Sequence, residues 1–187
     1  MNSLRLFIAV EIESNRCVSS LSKIQEKIPN KGFKNVNSSQ FHFTLKFLGD
    51  TDESKLPVII ESLESIDFCS FEIQFKTVGA FPNKNRPRVL WVSLTSGNDL
   101  LISLAKIINN RLYEIGFPRD ERDFHPHLTL ARIKRGFKVS PNTLTRFFEQ
   151  DITDLSLKSI ISKIFLKKST LTPQGPIYED LCIVDAK

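Results

Sequence analysis

Apolar and polar positions alternate most regularly in two stretches of the chain. Phe41–Leu48 reads Phe-His-Phe-Thr-Leu-Lys-Phe-Leu, and Phe124–Arg132 reads Phe-His-Pro-His-Leu-Thr-Leu-Ala-Arg. Successive side chains of a β-strand point to opposite faces, so a strand over the first stretch puts His42 and Thr44 on one face and Phe41, Phe43 and Leu45 on the other. A strand over the second treats His127 and Thr129 alike, with Leu128 and Leu130 opposite. Strict alternation also sends Lys46 to the face of His42, where it adds positive charge or is simply solvated, and sends Phe47 to the core rather than to a base-stacking position. In both strands a core can hold the apolar set while a His and a Thr are presented together.

The remaining pattern supplies a frame for these strands. Leu4–Ile12 is an apolar, β-prone run that fits a buried strand, and Asn15–Ile28 repeats apolar residues at the spacing of one helix face. A loop over Pro29–Gln40 leads into the first His strand. A helix follows over about Glu53–Ile66, with Asp52 or Thr51 as N-cap, then strands over Phe71–Phe81 and Val89–Leu94 separated by a basic loop. Asp99–Ile115 predicts a helix ended by Gly116, and Phe117–Asp123 a loop before the second His strand. A weaker helix over about Asn142–Gln150 and strands over Ser159–Lys168 and Ile177–Val184 complete the chain. The order strand, helix, His strand, helix, strand thus occurs twice, over residues 4–81 and 89–168, and His42 and His127 stand 85 positions apart. A duplicated unit accounts for both facts. The expected class is α+β: two lobes related by a pseudo-two-fold axis, each with an antiparallel sheet and helices, and an active cleft between them.

Composition narrows this picture modestly. With 187 residues and 41% apolar content, residues 1–187 suit a single bilobal domain with an ample core. Lys and Arg number 26 against 21 Asp and Glu, a net charge of +5 that favours anionic partners and equally fits a solvated basic face. The three cysteines are far apart in sequence and read as reduced thiols. No apolar run approaches the roughly 18–20 residues of a membrane helix, and the opening residues read as a strand rather than a signal peptide, so a cytoplasmic protein is expected.

A lone His on a strand usually makes a structural hydrogen bond. Here two of the chain's three His occupy equivalent places in a repeated unit, each followed by a Thr that can donate to an anionic oxygen. Two imidazoles without a metal suit acid and base catalysis at phosphorus: one takes a proton from the nucleophile, the other protonates the leaving oxygen, and the hydroxyls hold the non-bridging oxygens. His125-Pro-His127 could offer two imidazoles to a metal, but no HExxH or Cys cluster completes a set, so His125 is read as a neighbour orienting the loop or bordering the cleft. No GxSxG marks a Ser nucleophile.

These two motifs, His42-Phe-Thr-Leu and His127-Leu-Thr-Leu, resemble the paired signatures of the two-histidine phosphoesterase superfamily, in particular its RNA 2′,3′-cyclic phosphodiesterase branch, also called 2′-5′ RNA ligase. Arg5-Leu-Phe-Ile-Ala-Val resembles that family's opening strand, Pro87-Arg-Val-Leu-Trp91 its mid-chain strand, and Ser169–Tyr178 its closing segment. The resemblance implies hydrolysis of RNA 2′,3′-cyclic phosphate ends to 2′-phosphates, with His42 as general acid, His127 as general base, the pair being reversible in role, and Thr44 and Thr129 on the phosphate. It implies that Arg132 packs on the terminal base or contacts phosphate, the other reading being a surface Arg at a strand end. It implies no cofactor and no metal, a monomer, no membrane, and as partners RNA ends, tRNA fragments among them, or cyclic nucleotides. The basic segments Asn83–Arg88 and Lys134–Arg135 would extend RNA contact or be solvated loops. Two further readings stay open: a 2′-5′ ligase or another phosphoesterase of this superfamily acting on ADP-ribose cyclic phosphate, a cyclic nucleotide or a 2′-5′ oligonucleotide, and an RNA-binding protein with little turnover.

Overall fold

The first strand explains the architecture. In the computed structural model, which describes residues 2–187 apart from 141, 151, 153–156 and 174, β1 (Ser3–Glu11) has five consecutive buried residues, Leu6 to Val10. Burial on both faces belongs to an interior strand, and β1 lies between β3 (His42–Asp52) and β8 (Lys163–Thr172), with β9 (Gly175–Asp185) beyond, in a four-stranded antiparallel sheet. The second sheet has the order β2 (Phe33–Asn35), β6 (Leu128–Ile133), β5 (Val89–Ser96), β4 (Phe71–Phe81), β7 (Lys158–Ile161), again antiparallel throughout. The α+β class with two antiparallel sheets is therefore as the sequence predicts.

The distribution of strands over the sheets is less direct. Each His strand pairs with the opening strand of its own half, β3 with β1 and β6 with β5, but the third strand of each half joins the other sheet: β4 pairs with β5, and β8 with β1. The strand expected over Ser159–Lys168 is broken at Ser162, where the chain leaves one sheet for the other. Both the Ser162 amide and its hydroxyl donate to Glu13 Oε1, at 3.0 and 2.7 Å, and pin the crossing. Phe43 of β3 stacks on Phe75 of β4 at 6.0 Å, so fully buried rings from the two sheets meet in one connected apolar cluster.

Helix α1 (Asn15–Gln25) is capped by Ser14, whose hydroxyl accepts from the Cys17 amide at 3.2 Å, and buries Cys17, Leu21 and Ile24. Asp52 caps the single turn Glu53–Lys55 that opens α2 (Leu56–Glu64). The long α3 (Asn98–Glu114) buries Leu101, Leu104, Ala105, Ile108 and Leu112 and packs over β3, a strand of the other half. The expected loop Pro29–Gln40 contains β2, and the expected helix 142–150 shortens to α4 (Thr145–Phe148). The three thiols are free, and no helix of the described residues is long and apolar enough to cross a membrane.

Candidate active site

His42 opens β3 and His127 immediately precedes β6. The His42 Nδ1–H donates to the carbonyl of Gln40 at 2.7 Å, and the His127 Nδ1–H donates to the carbonyl of His125 at 2.7 Å. A carbonyl only accepts, so both rings carry the proton on Nδ1 and leave Nε2 available. Thr44 Oγ1 lies 3.1 Å from His42 Nε2 and donates to it when the ring is neutral. Aromatic rings fix both imidazoles: Phe7 and Tyr178 stand 5.3 and 5.6 Å from His42, while Phe81 and Trp91 stand 4.9 and 6.5 Å from His127. Trp91 lies so close over Gly79 that a Cβ there would come within 2.4 Å of its ring, and the buried Trp91 Nε1 has no hydrogen-bond partner among the described residues.

Burial pushes the His42 pKa down to about 4, against the Gln40 hydrogen bond and reinforced by the charges of Lys167, Arg132 and His127. His127 is also lowered, first by burial, then by Arg132 and His125, with its own carbonyl contact opposing. Both shifts favour the neutral imidazole in the free protein. Lys167, itself buried, is held by Glu11 at 2.7 Å and by Asp180, and helps keep His42 uncharged.

One cavity of about 960 Å³ is lined by both histidines and by Thr44, Thr129, Arg132 and His125. The β8–β9 hairpin closes one side: the Gln40 side chain donates to the Pro176 carbonyl at 3.3 Å, and Ile177 and Tyr178 face the space. His125 thus borders the cleft and orients His127 through its carbonyl. Of the expected closing segment Ser169–Tyr178, residue 174 lies outside the described residues. The basic segments Asn83–Arg88 and Lys134–Arg135 are not part of the lining, and Lys84 rests over the Phe148 ring at 5.0 Å.

Parity along the His strands changes at β-bulges. Thr44 pairs with Ala9 but Lys46 pairs with Ile8, so Leu45 is an extra residue. Adjacent residues of β1 face opposite ways, which turns Lys46 away from the face of His42 and brings Phe47, paired with Phe7, onto it. Lys46 is accordingly 3% exposed, donating to Asn109 Oδ1 at 2.6 Å, the Pro118 carbonyl at 2.9 Å and Asp120 at 3.1 Å. Phe47 is 69% exposed on the cavity wall. The sequence assignments of these two side chains, Lys46 to the His face and Phe47 to the core, are thus exchanged. The second half repeats the device: Thr129 pairs with Trp91 and Ala131 with Leu90, making Leu130 the extra residue and turning Arg132 onto the face of Thr129. The Leu130 carbonyl accepts from the Gln25 side chain at 2.7 Å and the Val36 amide at 2.8 Å, so the irregular backbone is satisfied. Arg5, Lys34, Arg122 and Tyr178 also line the cavity and have no individual assignment from sequence, because exposed cations and a half-buried Tyr within a strand have no periodic signature.

The LigT like Phosphoesterase family model matches residues 12–91 and again residues 92–178. The RNA 2′,3′-cyclic phosphodiesterase of Archaeoglobus fulgidus is 35% identical over 182 residues, covering 97% of this chain and 100% of that protein. That of Methanocaldococcus jannaschii is 38% identical over 178 residues, covering 94% of this chain and 97% of its own. Among solved structures, a Thermus thermophilus protein superposes with a TM-score of 0.78 at 27% identity, covering 97% of each chain. Escherichia coli LigT complexed with 3′-AMP gives a TM-score of 0.79 at 20% identity, over 100% of this chain and 99% of that one, a likeness of fold. With both halves matched and relatives of this similarity over nearly its whole length, the chain belongs to the LigT-like phosphoesterases.

Proposed function

We propose that this protein hydrolyses 2′,3′-cyclic phosphate ends of RNA to 2′-phosphates, using His42 and His127 as an acid–base pair. The observation that carries this reading is the matched pair of imidazoles. Each has its Nδ1 proton committed to the carbonyl two residues upstream, which leaves Nε2 to the substrate in one shared cavity. Relatives named RNA 2′,3′-cyclic phosphodiesterase support the choice of substrate.

The reaction needs one proton taken and one given. Water attacks phosphorus while neutral His127 Nε2 removes its proton; the P–O3′ bond breaks, and protonated His42 Nε2 gives its proton to O3′. Products are a 2′-phosphate and a free 3′-hydroxyl. Low pKa values suit the base, which is neutral at pH 7 before substrate arrives. The acid is charged by the substrate itself: an anionic phosphate beside His42 favours the imidazolium and displaces the Thr44 hydroxyl, which turns to a non-bridging oxygen. Thr129 holds the other side, Arg132 contributes fixed positive charge where the phosphoryl oxygens gain negative charge, and Phe47 offers a face on which a base can stack.

Hydrolysis in ¹⁸O-enriched water tests this directly. The expected product carries a 2′-phosphate with one ¹⁸O. A 3′-phosphate, or no product from a cyclic-ended RNA, would overturn the reading.

A further inference from the structure

Lys34 and Arg132 are direct cross-strand partners on β2 and β6. Partners across an antiparallel pair share a face, with Cβ atoms ~5 Å apart, so the two cations stand side by side on the face that carries Thr129. Like charges directly opposite are destabilising in a sheet. Among the described residues neither is in an ion pair with a carboxylate, although both line the cavity. Arg5 and Arg122 on the same lining are likewise outside every ion pair described, while Lys46 is neutralised by Asp120. The cavity thus carries four cations outside every ion pair described, Arg5, Lys34, Arg122 and Arg132, against one such carboxylate, Asp123, and of the four Lys34 and Arg132 are the pair held opposite one another in the sheet.

The surroundings of this pair fit an anion other than the reacting phosphate. Arg132 acts electrostatically on both histidines, so it borders the reacting centre; Lys34 sits one strand spacing, ~4.8 Å, further out on the edge strand. The β8–β9 hairpin reaches it from the other sheet: a Cβ on Gly175 would stand 3.5 Å from Lys34 Cε and 3.6 Å from Nζ. The hairpin backbone thus lies within van der Waals reach of the lysine. At about 960 Å³ the cavity lies at the upper end of the ~300–1,000 Å³ range of small-ligand sites.

We propose that Lys34, beside Arg132, forms a subsite for a second phosphate: the phosphodiester that links the terminal nucleotide of the RNA to the nucleotide before it. The subsite makes the enzyme select a chain end over a free cyclic mononucleotide, and it rests on the cyclic phosphodiesterase reading above.

The test compares kcat/KM for the dinucleotide ApA ending in a 2′,3′-cyclic phosphate with that for 2′,3′-cyclic AMP, in wild type, Lys34→Ala and Lys34→Arg. A third substrate is the same dinucleotide with a neutral methylphosphonate linkage. The wild type is expected to prefer the charged dinucleotide, and Lys34→Ala to lower that preference about tenfold, chiefly through KM, with substantial recovery in Lys34→Arg. The neutral linkage should cost the wild type a similar factor and cost Lys34→Ala little. A loss in Lys34→Ala that is equal on both charged substrates, or equal on the neutral and charged dinucleotides, would overturn the subsite while leaving the hydrolysis reading standing. No turnover of any substrate by wild type would instead sink the phosphodiesterase reading, and the subsite with it.

Discussion

His42 and His127 each commit one ring nitrogen to a backbone carbonyl and sit among aromatic rings, and both consequences are measurable. Because burial lowers both pKa values, the acid limb of kcat/KM against pH, which reports the free protein, is expected below the ordinary histidine pKa of about 6.5. An acid limb centred above 6.5 would contradict the geometry. The same shift bears on stability. A His whose folded pKa is depressed contributes stability that is complete above its unfolded pKa and is lost as pH falls through the folded value, here between about 6.5 and about 4 for His42. Denaturation midpoints of His42→Ala should therefore fall less steeply than those of wild type across that window. The two roles can be told apart with a cyclic substrate whose 3′-oxygen is replaced by sulfur. A thiolate leaves without a proton, so His42→Ala should recover about 100-fold or more of its lost rate, and His127→Ala should not. At this scale the sequence is informative: a chain with three histidines, two of them in matching His-x-Thr settings, identifies its own candidates. The depth of their burial and the lysine network beside His42 are not visible there, because they depend on residues far away in the chain.

Between residues and fold, the β-bulges decide what faces the cleft. Alternation was a sound guide to Phe43, Thr44, Leu128 and Thr129, and it failed at Lys46 and Phe47 because one extra residue, Leu45, resets the period of two. Nothing in the composition of Phe41–Leu48 marks where that residue falls. The equivalent extra residue Leu130 is the reason Arg132, five positions after His127, reaches the same face as Thr129. Lys46→Ala removes three hydrogen bonds from a buried site and should lower unfolding stability by about 1–3 kcal/mol in chemical denaturation. Phe47→Ala should change stability by less than about 0.5 kcal/mol and instead raise KM for an RNA end, by the ~1–3 kcal/mol of a lost base stack. The opposite pattern, a stable Lys46→Ala and an unfolded Phe47→Ala, would contradict the bulge.

For the whole molecule, the two-sheet α+β class is legible in the order of elements, but the exchange of β4 and β8 between halves is not. Hydrophobic periodicity says which side of a strand is buried, not which neighbour it joins, and the crossing at Ser162 depends on Glu13, nearly 150 residues earlier. We propose that residues 4–81 and 89–168 are duplicated units, supported by the matching strand orders and by the family model matching each half. The exchange ties the two His strands into one cavity, which Arg5, Lys34, Arg122 and Arg132 also line. Catalysis on an RNA oligonucleotide should accordingly weaken with salt, log kcat/KM falling against log salt with a slope of about −0.7 per phosphate contacted, and falling less for 2′,3′-cyclic AMP. Equal slopes would contradict a charge-lined cavity that engages the chain. We propose that the two histidines catalyse hydrolysis without a metal. This is tested most directly by incubating an RNA ending in a 2′,3′-cyclic phosphate with wild type, His42→Ala and His127→Ala in EDTA. Wild type is expected to give a 2′-phosphate product and each variant to lose at least about 100-fold; full activity in either variant, or wild-type activity abolished by EDTA, would rule out metal-free catalysis by the pair.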